Sequence, residues 1–276
     1  MTPVTSQRYR HLGPIGRVME VPNWTGLRRR ARAARRPRAR RPTCRRAPSH
    51  DVARHVRPPS ARSSRSFGMS SLALFFVGSV LLCNGLGLLG RLSPKDTAPI
   101  NLFIGLTLVA TVGVTALPVA GGSEAELSTV LGSAGFLLFA FTYLYVALNN
   151  FRDLPGQGLG WYCGWAVLVS LMLAWVNFDR FDDPKFGAIW LSWAVLFSAF
   201  FLVLALGLDN LTVATGWLTV LQAFTTTTLP GALMLTGRWA DVPTAVVVAA
   251  QVAVVVVFVA VATVRRPVAT LEVASA

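Results

Sequence analysis

The sequence predicts an all-α, polytopic membrane protein, and three observations carry that reading. Seven long apolar runs recur along the chain, each near the roughly 20 residues a helix needs to cross a bilayer. No Asp, Glu, Lys or Arg lies inside any of them. Only 14% of the 276 residues are charged, against about 25% in an ordinary soluble domain. Helices follow because lipid offers no hydrogen-bond partner, so each span must pair its own backbone N–H and C=O groups.

The first element, residues 1–68, is of a different kind. It holds 18 Arg and no Lys against two acids, Glu20 and Asp51, together with all three histidines, His11, His50 and His55. From Met69 onward there are 8 Lys+Arg and 10 Asp+Glu, so the net charge of +14 belongs to the N-terminal quarter. The tract has no apolar periodicity and reads as a disordered Arg-rich extension. It lacks the apolar core of a signal peptide. A nucleic-acid or anionic-lipid tail, a transit peptide, and an upstream stretch with Met69 as the true start are the three readings; the Arg, Ala, Pro and Gly bias favours the last. No folded reader accompanies the charge, so no nucleic-acid partner is expected.

The spans follow in order: Leu72 to Gly90, Ala98 to Gly121, Thr129 to Asn149, Gly160 to Phe178, Phe186 to Leu208, Leu211 to Leu235, and Val242 to Val264. Six of them lie within residues 69–239, and residues 240–276 hold a seventh helix and a short tail. The connections carry turn chemistry, as at Ser93-Pro94-Lys95-Asp96 and Asp182-Asp183-Pro184. With the N-terminus outside, the inner loops hold Arg91, Lys95, Arg152, Arg265 and Arg266, against Arg180, Lys185 and Arg238 outside. That bias follows the positive-inside rule and predicts a multi-pass protein of a bacterial inner (plasma) membrane.

Proton relays, voltage sensors and ion-coupled carriers need ionisable groups within their spans, and these spans have none. The body also lacks His, metal-ligand spacing and a Gly-rich phosphate loop, so no enzyme, cofactor or metal is expected. Cys83 and Cys163, in apolar segments, read as small hydrophobes. What the spans do hold is aromatic stripes and uncharged polar groups. Trp190, Trp193 and Phe197 share one face of the fifth span, and Leu137, Phe141 and Tyr145 repeat every four residues on the third. Asn84, Thr142, Asn149, Ser192, Gln222 and the run Thr225 to Thr228 are the polar groups. Aromatic walls with amide and hydroxyl groups suit a flat, neutral, polar solute. Such stripes also pack helix against helix, and Thr and Ser commonly join membrane helices.

The stretch from Gly135 through Phe-Leu-Leu-Phe-Ala-Phe-Thr-Tyr-Leu to Tyr145 resembles the third helix of the AmiS/UreI family of urea channels and amide permeases. Ala188-Ile-Trp-Leu-Ser-Trp-Ala-Val-Leu-Phe197 resembles its fifth helix, and Asn84-Gly85 and Ser93-Pro-Lys-Asp-Thr-Ala98 fit as well. The resemblance covers about residues 70–239. It implies a six-helix protomer of three two-helix hairpins, a ring-shaped homohexamer, and one pore per protomer carrying urea or short-chain amides. Pore candidates under that resemblance are Asn84, Leu137, Phe141, Tyr145, Trp190, Trp193, Phe197 and Gln222. Phe197 stands where the family's urea channel has a third Trp, and Gln222 where it has a Glu.

The acid-gated family member has a long His-rich loop between helices two and three. Here the loop is only Gly121 to Ser128, so His-based acid gating, which needs a side chain titrating near pH 6.5, is not expected. Glu124, Glu126, Asp179, Asp182 and Asp183 are the candidates for any pH modulation. The expected function is therefore a facilitative urea or amide channel. A seven-helix sensor or scaffold and a proton-coupled amide carrier are the alternatives.

Overall fold

The computed structural model describes residues 61–119 and 122–264, with side chains described from Gly68 onward. Most of the Arg-rich segment, residues 1–60, and the last twelve residues lie outside that range. The described residues are all helical, without strands. Seven helices are long and apolar enough to cross a membrane. The first five spans are α1 (Ala61–Leu88), α2 (Pro94–Thr115), α3 (Glu124–Arg152), α4 (Gln157–Asp179) and α5 (Pro184–Leu204). The sixth is built from a 3-10 turn (Asp209–Leu211), α6 (Thr212–Gln222), a π-helical turn (Ala223–Thr228) and α7 (Leu229–Leu235). The seventh is α8 (Thr244–Val264).

Local chemistry sets the ends of these helices. Ser93 caps α2: its Oγ accepts from Asp96 N at 3.3 Å and its own N–H donates to Asp96 Oδ2 at 2.9 Å, with Pro94 at the first helical position. Ser123 and Glu126 repeat that reciprocal cap on α3 at 3.2 and 3.0 Å. Asp183 accepts from Phe186 N at 3.0 Å ahead of Pro184 and starts α5. Each cap satisfies donors that a helix N-terminus leaves open. The charged and turn-forming residues between the apolar runs are thus the helix stops and starts.

The sixth span departs from the single unbroken helix its apolar run predicts. Four consecutive threonines bond back into the helix: Thr225 to Leu221 O at 3.1 Å, Thr226 to Gln222 O at 2.6 Å, and Thr227 and Thr228 to Ala223 O at 2.6 and 2.7 Å. Pro230 lies just beyond and has no N–H to give. Hydroxyl competition for the carbonyls and a missing donor widen the turn to π geometry.

The most extensive packing joins α2 to α3, α4 to α5, and α1 to the sixth span, which closes the ring. Glycines allow the approach. A Cβ at Gly105 would meet Leu144, one at Gly85 would meet Val220, and one at Gly160 would meet the Ala205 backbone. Helix association in lipid relies on such close contacts because apolar surface alone gives no preference for a neighbouring helix over lipid. α8 stands outside this ring, packed on α5, α6 and the π turn, with most of its surface exposed.

Candidate solute pathway

Two cavities lie within the six-span ring, one toward each end. The first, about 300 Å³, is bordered by Leu92, Pro94, Asn150, Leu159 and Leu204, at the end that carries the α1–α2, α3–α4 and α5–α6 connections. The second, about 380 Å³, reaches Ser70, Gly132, Asn177, Phe181, Phe186 and Met234 at the opposite end. No charged side chain lines either of them. Phe139 of α3 borders both, and it is 6% exposed.

Phe139 belongs to an aromatic cluster whose members border one cavity or the other. Its ring centroid lies 4.8 Å from Trp193, 5.4 Å from Phe197, and 6.0 Å from both Trp190 and Tyr143. Trp190 and Trp193 meet edge to face at 4.7 Å, the arrangement that ring quadrupoles favour. Trp190 and Trp193 face the second cavity, and Phe197 and Tyr143 face the first. Two contacts hold the indoles. Trp193 Nε1 donates to Thr226 Oγ1 in the π turn at 3.0 Å. The benzo edge of Trp190 abuts Gly135, where a Cβ would come to 2.5 Å from the ring.

The first cavity carries the polar groups. Asn84 lines it and exchanges two amide hydrogen bonds with buried Asn101, at 3.0 and 2.6 Å. Asn150 Nδ2 donates to Thr97 Oγ1 at 3.0 Å. The Tyr143 hydroxyl, on a side chain only 2% exposed, has no partner among the described residues. A buried hydroxyl without a partner is costly, and the Tyr143 residue that carries it is one of those lining the first cavity.

Of the residues singled out from the sequence, Trp190, Trp193, Phe197, Asn84 and Thr142 line these cavities. The third-helix stripe does not. Phe141 is 51% exposed, Leu137 borders neither cavity, and the Tyr145 hydroxyl sits against Gly158 of α4. The face of α3 turned inward is offset by two residues and carries Gly135, Phe139 and Tyr143. Gln222 is fully buried but borders neither cavity, since its amide N–H groups donate to Ser192 O and Oγ, both at 2.9 Å, and so tie α6 to α5. The carboxylates gather at the second cavity's end of the bundle. Glu124 pairs with Arg180 at 3.5 Å, Glu126 caps α3, and Asp183 caps α5. Asp179 ends α4, and Asp182 adopts a left-handed turn.

Phe139 and Tyr143 do not stand out as pathway residues in the sequence, and Thr226, one of its polar run, gives no sign there of anchoring Trp193. One signal could have found the first two: Gly135, Phe139, Tyr143 and Ala147 recur every four residues, and small residues mark the packed face of a membrane helix.

The sequence profile of AmiS/UreI family transporters matches residues 69–238. A protein of Mycolicibacterium smegmatis designated an amidate-substrates transporter is 41% identical over 175 residues, covering 63% of this chain and 80% of its own length. The acid-activated urea channel of Helicobacter pylori is 32% identical over its whole length, which covers 62% of this chain. The cryoEM structure of that urea channel in its closed state superposes with a TM-score of 0.56 at 30% identity, over 62% of this chain and 99% of the other.

Proposed function

The chain belongs to the AmiS/UreI family of transporters, and from that membership we propose that it is a facilitative channel for urea or short-chain aliphatic amides. Family and structural neighbours are transporters and channels rather than enzymes. The observation that carries the proposal is the pair of uncharged cavities toward opposite ends of the ring, with Phe139 and its aromatic neighbours bordering them. A planar neutral amide can slide between ring faces, whereas an ion would lose its hydration with no charge or carbonyl ring to replace it.

By the loop charges, the first cavity faces the inside of a bacterial inner membrane and the second faces outward. Asn84, Tyr143 and Thr142 offer hydrogen bonds on the inner side, and Trp190, Trp193, Phe139 and Phe197 form the selective slot. The protein works as a homo-oligomer, a hexamer by family resemblance, in contact with membrane lipid. At the outer end Glu126 and Asp183 serve as caps and Glu124 as an ion-pair partner, and no histidine of the channel domain is available to gate it. Reconstituted protein tests this reading against a coupled carrier. Acetamide entry that is linear in concentration and indifferent to a protonophore supports the channel, whereas entry that collapses with the protonophore contradicts it.

A further inference from the structure

α8 lines neither cavity, and the family match ends at residue 238, before it begins. The added segment nevertheless touches the pathway wall at two places. The first is at mid-membrane. In the π turn the Leu229 N–H donates to Phe224 O, and the next residue able to serve Thr225 O by the same spacing is Pro230, which has no N–H. The Thr225 carbonyl therefore lacks its helical donor at a depth where an unpaired backbone group is strongly disfavoured. Gln251, buried on the inward face of α8, donates its Nε2 to that carbonyl at 3.3 Å. The adjoining residue, Thr226, is the one that accepts from Trp193. Opposite α8 the π turn is pressed on α1 at Gly78, where a Cβ would collide with Thr228 and the Ala223 carbonyl.

The second place is the outer mouth. Trp239, in the 3-10 turn that leads toward α8, lies edge to face with Phe186 at 5.8 Å. Lys185 Nζ donates to the Trp239 carbonyl at 2.8 Å and sits 5.0 Å from the indole centroid. Phe186 itself borders the second cavity.

We propose that α8 is a buttress for the selective slot and that Gln251 is its positioning residue: by holding the Thr225 carbonyl it fixes the π turn, and the π turn fixes the Trp193 ring through Thr226. The proposal rests on the channel reading, and it makes α8 a determinant of solute size selection. Without the Gln251 bond the π turn has a second register open to it, and Trp193 loses its fixed anchor.

The test uses the full chain in proteoliposomes, with Gln251→Met (similar volume, no donor), Thr226→Val and the double variant. Gln251→Met is expected to raise the butyramide-to-urea permeability ratio roughly two- to tenfold, the weight of one neutral hydrogen bond in an equilibrium. In the Thr226→Val background the same change is expected to add little, because both act through one contact. Amide exchange over Ala223–Leu229 is expected to quicken in Gln251→Met. Quicker exchange with an unchanged ratio would make Gln251 merely structural and overturn the proposal, as would fully additive ratio changes. Wild-type permeation no faster than empty liposomes would instead remove the channel reading on which it rests.

Discussion

Replacing Phe139 with Ala probes the slot at the one side chain that borders both cavities. Two consequences follow from the packing. Phe→Ala truncation in a core loses about 3–5 kcal/mol of stability. Four ring partners within 4.8 to 6.0 Å, each pair worth about 0.5–1.5 kcal/mol beyond burial, place this site toward the upper end. The functional effect has the opposite sign. Spaces of about 300 and 380 Å³ merge, and the slot that sorts solutes by width opens. Apolar walls discriminate one methylene by about 10- to 200-fold at most. The acetamide-to-butyramide permeability ratio is therefore expected to fall by about tenfold, while acetamide entry itself rises. Stopped-flow light scattering on proteoliposomes reads both rates, and a thermal melt in detergent reads the stability cost. Phe139→Leu, which restores most of the volume, is expected to fall between. A folded Phe139→Ala protein with the wild-type ratio would refute the slot role of Phe139.

Four further outcomes are expected. Trp193→Ala, removing a ring only 3% exposed, admits butyramide relative to urea; an unchanged ratio in the same flux assay would contradict a slot role for the indole. Gly135→Ala puts a Cβ 2.5 Å from the Trp190 ring, pushing it toward the second cavity, so urea flux falls several-fold in protein that still elutes like the wild type. Urea permeability at about pH 5 and pH 7.5 stays within twofold, since residues 69–276 contain no His to titrate there. Cys163 borders the first cavity, so mercuric ion slows urea entry, and Cys163→Ser restores it.

The helices were legible because apolar length and interrupting charge are strong signals in lipid, and the caps at Ser93, Ser123 and Asp183 stand in the sequence as turn chemistry. The facing of α3 was less accessible. In a soluble helix polar residues mark the outward side, but a lipid-facing side is as apolar as a packed one. Phe141 and Phe139 therefore carry equal hydrophobic weight, and a stripe beginning at Leu137 fits the helical period as well as one beginning at Gly135. On α5 the two indoles and Phe197 form the only aromatic series with that spacing in the segment from Ala188 to Phe197, which brought attention to the inward face. Gln222 drew notice as a buried amide, yet its donors reach Ser192 on the neighbouring helix, a pairing that only the three-dimensional arrangement discloses. The π turn depends on four threonines acting together with Pro230, a combination no periodicity count weighs.

The most direct measurement of the central claim is solute entry into proteoliposomes of the full chain, compared for urea, acetamide and glycerol by stopped-flow light scattering. Urea or acetamide entry is expected well above empty liposomes, without saturation and unaffected by a protonophore, with glycerol, bulkier and non-planar, held near the background rate. Entry of all three at the rate of empty liposomes would contradict it and leave the seven-helix scaffold as the better description.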